Sequence, residues 1–89
     1  MPSRRFVHTA KAVREYRASH ENVSQLDMGK LFGFKNGQAM SNIERGIQGF
    51  TERKLHLIDD VEHREKIILG MVKDYEDKLR RYANENNKA

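Results

Sequence analysis

Apolar positions along the chain recur at helical spacing, and period-two alternation is confined to the short stretch Leu55–Leu57. Start and stop signals divide the chain into five helices. The first runs over about Thr9–Ser19 and presents Ala10, Val13 and Tyr16 on one face, with Thr9 or Ser3 placed to cap it. The second begins with the clearest local signal. Ser24 is a good N-cap, Asp27 sits at N3 as a short-chain capping box, and Val23 and Met28 flank them as a hydrophobic staple. Leu31 and Phe32 extend its apolar face, and Gly33 suits a helix end. Phe34-Lys35-Asn36 reads as a tight turn, after which Asn36 caps a third helix that carries Met40 and Ile43 inward and closes at Gly46. Thr51 caps a fourth helix, with Phe50 and Leu55 as a second staple and Leu55, Ile58 and Val61 as its buried side. The acids Asp59, Asp60 and Glu62 then mark either a break or the first turn of a new helix. The last helix spans about His63–Asn84. Glu62–Lys66, Asp74–Lys78, Glu76–Arg80 and Asp77–Arg81 lie along it as acid-before-base pairs at i, i+4.

The pattern is all-α, and 89 residues suffice for one domain with a single modest core. Residues 1–62 read as the folded unit, 63–86 as a long C-terminal helix and 87–89 as a frayed tail. Met28, Met40, Phe32 and Phe50 belong to the core and imply no cofactor. No apolar run approaches the roughly 18 residues of a membrane span. The charged start is followed by no apolar h-region, so no signal peptide is expected. The absence of Cys excludes disulfides and thiolate chemistry and fits a reducing cytoplasm.

Charge sharpens the picture through its distribution. The net charge is +4, and all of it comes from residues 1–20, where Arg4, Arg5, Lys11, Arg14 and Arg17 face Glu15 alone. The remaining 69 residues balance acid against base. A localised basic end suits a polyanion, because each cation placed on a phosphate releases counterions; it also suits a merely solvated terminus.

Candidate catalytic chemistry is thin. His8, His20, His56 and His63 lack close ligand spacing, no Ser/His/Asp arrangement stands in a motif, and the glycines form no phosphate loop. A binding protein is expected, with no enzymatic activity, cofactor or metal. The informative segment is residues 24–46, two short helices joined by a turn. The second of them offers Gln38, Ala39, Ser41 and Asn42 on the side away from the core. Gln and Asn both donate and accept, and can read adenine bidentately in a major groove, while small neighbours let the helix approach the base edges. Helix starts at Gln25 and Asn36 point free N–H groups outward, where phosphates can bind. Lys35 borders the same surface, and Arg4 and Arg5 can serve as a phosphate or minor-groove arm. Without a nucleic acid, the same residues make an ordinary solvated face.

At these residues the chain resembles a known family. Ser24-Gln-Leu-Asp-Met-Gly-Lys-Leu-Phe-Gly33, followed by Met40-Ser-Asn-Ile-Glu-Arg-Gly46, is similar to the Xre/Cro-like (lambda-repressor-like) helix-turn-helix domains, and Val13–Arg17 matches their first helix. The resemblance covers about residues 9–62. It implies a five-helix lambda-repressor-like domain, which the C-terminal helix of this chain extends, and a transcriptional regulator that binds double-stranded DNA; a palindromic operator is expected where two chains pair. It further implies a phosphate contact from Gln25, base contacts from Gln38, Ala39 and Asn42, and an ion pair between Arg17 and Glu44. The chain departs from the family pattern at Gly29, where Ala is usual. It also carries one extra residue in the loop before Ser24 and one in the turn Phe34–Gly37.

The last helix carries a second pattern. Ile68, Val72, Tyr75, Leu79 and Tyr82 are spaced 4-3-4-3, the seam of a coiled coil. Ile67, Ile68 and Met71 can dock on the core, but the remaining positions need a second chain. A homodimer is the expected arrangement. A protein partner gripped by this helix, as in the antidote of a toxin–antitoxin pair, is the alternative.

Overall fold

A computed structural model describes residues 5–86. It is all-helical, with α1 Val7–Ala18, α2 Gln25–Leu31, α3 Gln38–Glu44, a 3₁₀ helix Glu52–Leu57 and α4 Val61–Asn86. No helix of the described residues is long and apolar enough to cross a membrane. The expected frayed tail, residues 87–89, lies outside the described residues.

The core is one cluster drawn from all four α-helices and from the residues that flank the 3₁₀ helix. Val13 and Tyr16 of α1, Met28 and Phe32 around α2, Met40 and Ile43 of α3, Phe50 and Ile58 beside the 3₁₀ helix, and Ile67 of α4 are all buried. The edge of the Phe32 ring meets Phe50, with centroids 5.2 Å apart and planes at 83°, a favourable edge-to-face geometry.

Local chemistry explains the start of α2. The Ser24 hydroxyl accepts from the Asp27 N–H (3.1 Å), and the Asp27 carboxylate accepts from the Ser24 N–H (3.4 Å), so the capping box is closed. The apolar face of α2 is narrower than the sequence pattern suggests. Met28, Gly29 and Phe32 are buried, whereas Leu31 is 61% exposed. In a helix of 3.6 residues per turn, Leu31 sits a large step around the axis from Phe32 and falls outside the sector that faces the core. Gly29 has a steric reason: a β-carbon there would stand 3.2 Å from Met40 Cγ and 3.3 Å from the Asn36 carbonyl oxygen. The longer connection 32–37 folds its backbone against α2, and glycine supplies the room.

Three expectations about the second half need correction. Thr51 occupies the cap position of its helix, but its side chain makes no cap bond and the helix is 3₁₀; the backbone bond from the Lys54 N–H to the Thr51 carbonyl (3.1 Å) takes that role. Val61 is exposed, because a new helix begins there. Asp60 Oδ1 accepts from the N–H groups of Glu62 (3.0 Å) and His63 (3.4 Å), so the acidic run is the N-terminal cap of α4. The helix thus starts at Val61, two residues before the expected His63. Ile67 is fully buried and Met71 packs on the core.

Asp74 completes the joint between α4 and α1. It is 5% exposed, and its two oxygens accept from the backbone N–H groups of His8 and Thr9, both at 2.9 Å. Phe6, at the cap position of α1, offers no side-chain cap, so Asp74 satisfies the orphan N–H groups from another helix. The approach is close because α4 carries Gly70 there. A β-carbon on Gly70 would lie 2.7 Å from the His8 carbonyl oxygen, inside any tolerable contact. Of the four i, i+4 pairs expected on α4, only Glu62–Lys66 closes among the described residues, at 3.8 Å. Asp74 is turned inward, and Asp77 meets His8 Nε2 at 3.3 Å.

Candidate nucleic-acid interface

The surface begins with what holds α3 in place. Met40, Ile43 and Glu44 occupy its buried arc. Glu44 is 4% exposed and receives a two-pronged ion pair from Arg17, Nε to Oε2 at 2.7 Å and Nη2 to Oε1 at 2.9 Å. Arg17 also donates to the Val23 carbonyl (3.2 Å), and Arg14 donates to the Glu44 carbonyl (2.6 Å). The hydrogen bonds to Glu44 hold the Arg17 guanidinium above its already high ordinary pKa. Two arginines of α1 therefore clamp the end of α3, and the clamp includes the loop before α2. Fork-to-fork geometry adds orientation as well as attraction.

Lys54 secures the connection between α2 and α3. Its ammonium donates to the Phe32 carbonyl and lies over the Phe34 ring, 4.6 Å from the centroid. The carbonyl end of α2 is thereby satisfied by a cation. Asn36 accepts from the Gln38 N–H through its side chain (2.9 Å). The N-cap position itself belongs to Gly37, and α3 starts at Gln38, so the turn is longer than the tight turn expected and Asn36 acts one residue before the cap.

The opposite arc of α3 faces outward. Gln38 and Arg45 are exposed, and Ser41 and Asn42 are half-buried between them. At 100° per residue these four fall on one arc, and Ala39 lies on its flank. Three are joined in a ladder: Gln38 Nε2 donates to Asn42 Oδ1 (3.1 Å), and Arg45 Nη2 donates to the same oxygen (3.0 Å). With Oδ1 accepting twice, the Asn42 amide is fixed in orientation and its NH₂ remains available to a ligand. Arg45 was not among the sequence-derived site residues. Its spacing of i+3 from Asn42 and its place at the exposed helix end were the available signal.

The other expected contacts are dispersed. Lys35 is exposed on the connection leading into α3. The Gln25 side chain turns inward, Nε2 donating to Glu44 Oε1 at 3.4 Å, because the buried carboxylate has acceptor capacity beyond Arg17. The expected contact to an external phosphate would require this bond to open. Arg5 lines a hollow against Tyr75, Lys78 and Arg81 of α4, so its side chain is placed away from the polar arc of α3. Arg4 lies outside the described residues. Among the described residues, no group of three or more His, Asp or Glu side chains is placed to hold a metal ion.

The seam residues form a separate surface. Val72, Tyr75, Leu79 and Tyr82 are 47%, 60%, 48% and 66% exposed, while Ile68 is half-buried. Comparison with protein-family models, with curated proteins and with solved structures finds no match.

Proposed function

We propose that this chain is a sequence-specific double-stranded-DNA-binding protein, a small cytoplasmic transcriptional regulator of the lambda-repressor-like helix-turn-helix type, with α2 and α3 as the motif. One observation carries the reading: the linked polar arc Gln38–Asn42–Arg45 on a short helix clamped by the Arg17–Glu44 pair. A helix fits the major groove, where amides read adenine and arginine reads guanine. Preset side chains lose little freedom on binding. Lys35 and the start of α2 would face the backbone and set the register, while the arc reads the bases. Binding is the whole mechanism. The similarity of residues 9–62 to the Xre/Cro-like pattern supports the same reading.

The exposed stripe of α4 supports a homodimer. Two copies joined along it would present two α3 helices to successive major grooves, about 34 Å apart, and would act on an inverted repeat as a repressor of their own or a neighbouring promoter. The same stripe favours a second reading, a partner-binding module such as the antidote of a toxin–antitoxin pair.

Selection from random duplexes at about 100 mM salt, where non-specific phosphate binding is suppressed, tests the proposal. An enriched inverted repeat is the expected result. A lone half-site would retain DNA reading and remove the dimer. No enrichment would reject DNA reading in favour of the partner-binding module.

A further inference from the structure

Beside α4, on the side of the molecule that Arg5 faces, lies a hollow of about 280 Å³. Phe6, Phe50, Met71 and Tyr75 give it an apolar lining, and Arg5, Lys78 and Arg81 bring three cations to it. One carboxylate, Asp74, is among the described lining residues. Both of its oxygens are taken by the N–H groups of His8 and Thr9, and the positive end of α1 offsets its charge. Among the described residues, neither Lys78 nor Arg81 is paired with a carboxylate. An apolar floor with a few convergent polar groups is the usual build of a small-molecule site, and this volume lies just below the usual range for a drug-sized ligand, which suits a smaller one.

We infer that this hollow binds a small amphipathic anion, an aromatic or short aliphatic body bearing one carboxylate or sulfonate. The body would lie against Phe6, Phe50 and Met71, and the anionic group would meet Lys78 and Arg81. Size limits the body to about two fused rings, and the sign of the field selects the head group. A cationic or neutral compound of the same shape would gain only the apolar contact. The inference stands apart from DNA binding, since none of these side chains lies on the outward arc of α3.

Calorimetry with the full chain and two matched probes tests it. 2-Naphthoate should bind saturably at one site per chain, with 2-naphthylmethanol at least about tenfold weaker, the scale of one charge contact. Lys78→Glu and Arg81→Glu should each weaken naphthoate by about tenfold or more. Lys73→Glu, a reversal in a different basic hollow, should leave it unchanged. All three side chains are exposed, and circular dichroism checks that each variant folds. Equal binding of the two probes, equal loss in all three variants, or no saturable binding to the parent chain would overturn the inference.

Discussion

α3 and α4 solve the same problem in different ways. On α3 every large apolar side chain is buried, the outward arc is polar, and its members bond to one another. On α4 the apolar residues form two faces. One, with Ile67 and Met71, is absorbed by the core; the other, with Val72, Tyr75, Leu79 and Tyr82, is exposed. With 26 residues, α4 is about 39 Å long, more than a domain of this size can cover. A surface finished in the monomer suits a ligand that brings hydrogen-bonding groups in water. A surface left apolar along a straight helix suits another protein surface, because its burial is what makes association favourable. On the proposed reading, the first region is the one that meets DNA and the second the one that meets another copy of the chain.

The largest expected effect falls on the clamp that makes α3 rigid. Arg17→Ala would leave a buried carboxylate without its ionic partner, at a cost of about 3–5 kcal/mol. That is a large fraction of the stability of a small domain, and denaturant titration should show it as a large fall in midpoint. A midpoint within experimental error of the parent would mean that α3 holds without the clamp. Next in size is Leu79→Asp on α4. It should abolish self-association in sedimentation and weaken binding to an inverted repeat about a hundredfold through loss of bivalency, while affinity for a single half-site stays the same. An unaltered sedimentation profile would remove the seam from the account. Asn42→Ala acts on the other surface. It should cost about 1–3 kcal/mol of discrimination at one base pair and leave both stability and self-association untouched. If the variant ranks all base substitutions as the parent does, Asn42 reads no base.

The smallest effect concerns pH. The hydrogen bond to the His63 ring, Nδ1 to Oδ2 at 2.7 Å, holds the Asp60 carboxyl below its ordinary value, helped by the backbone N–H groups at the start of α4. A depressed carboxyl pKa adds stability that is present above the ordinary value of 3.8 and is lost as pH falls through the lower folded value. Asp60→Asn should therefore flatten the acid limb of the stability profile in that window, with no change near neutrality beyond a constant offset. An acid limb of unchanged slope would show that Asp60 contributes nothing to it. Asp60 is exposed, so the effect should be slight.

Features that depend on neighbours in sequence were legible. The Ser24–Asp27 box could be read from two residue types three apart, and the inward set of α3 from the spacing of Met40 and Ile43. Features that depend on distant neighbours were not. Asp74 read as an i, i+4 partner of Lys78, yet its true partners are backbone groups at residues 8 and 9, which no local rule supplies. Leu31 read as buried because hydrophobicity marks a face without fixing its width, and Val61 because the sequence left open whether a new helix begins there. At the candidate interface, Gln38 and Asn42 were legible from residue type and phase. Arg45 was passed over at the helix end, and the inward turn of Gln25 depends on a carboxylate nineteen residues away.

The central claim is that the outward arc of α3 meets the bases of duplex DNA. Its most direct test is titration of isotope-labelled protein with a duplex from the selection, followed by heteronuclear NMR. The account predicts saturable shifts concentrated at the side-chain amides of Gln38 and Asn42, at the Arg45 guanidinium and at the Ser41 backbone, with the α4 stripe changing little. Shifts confined to α4 while the α3 arc stays still would contradict it.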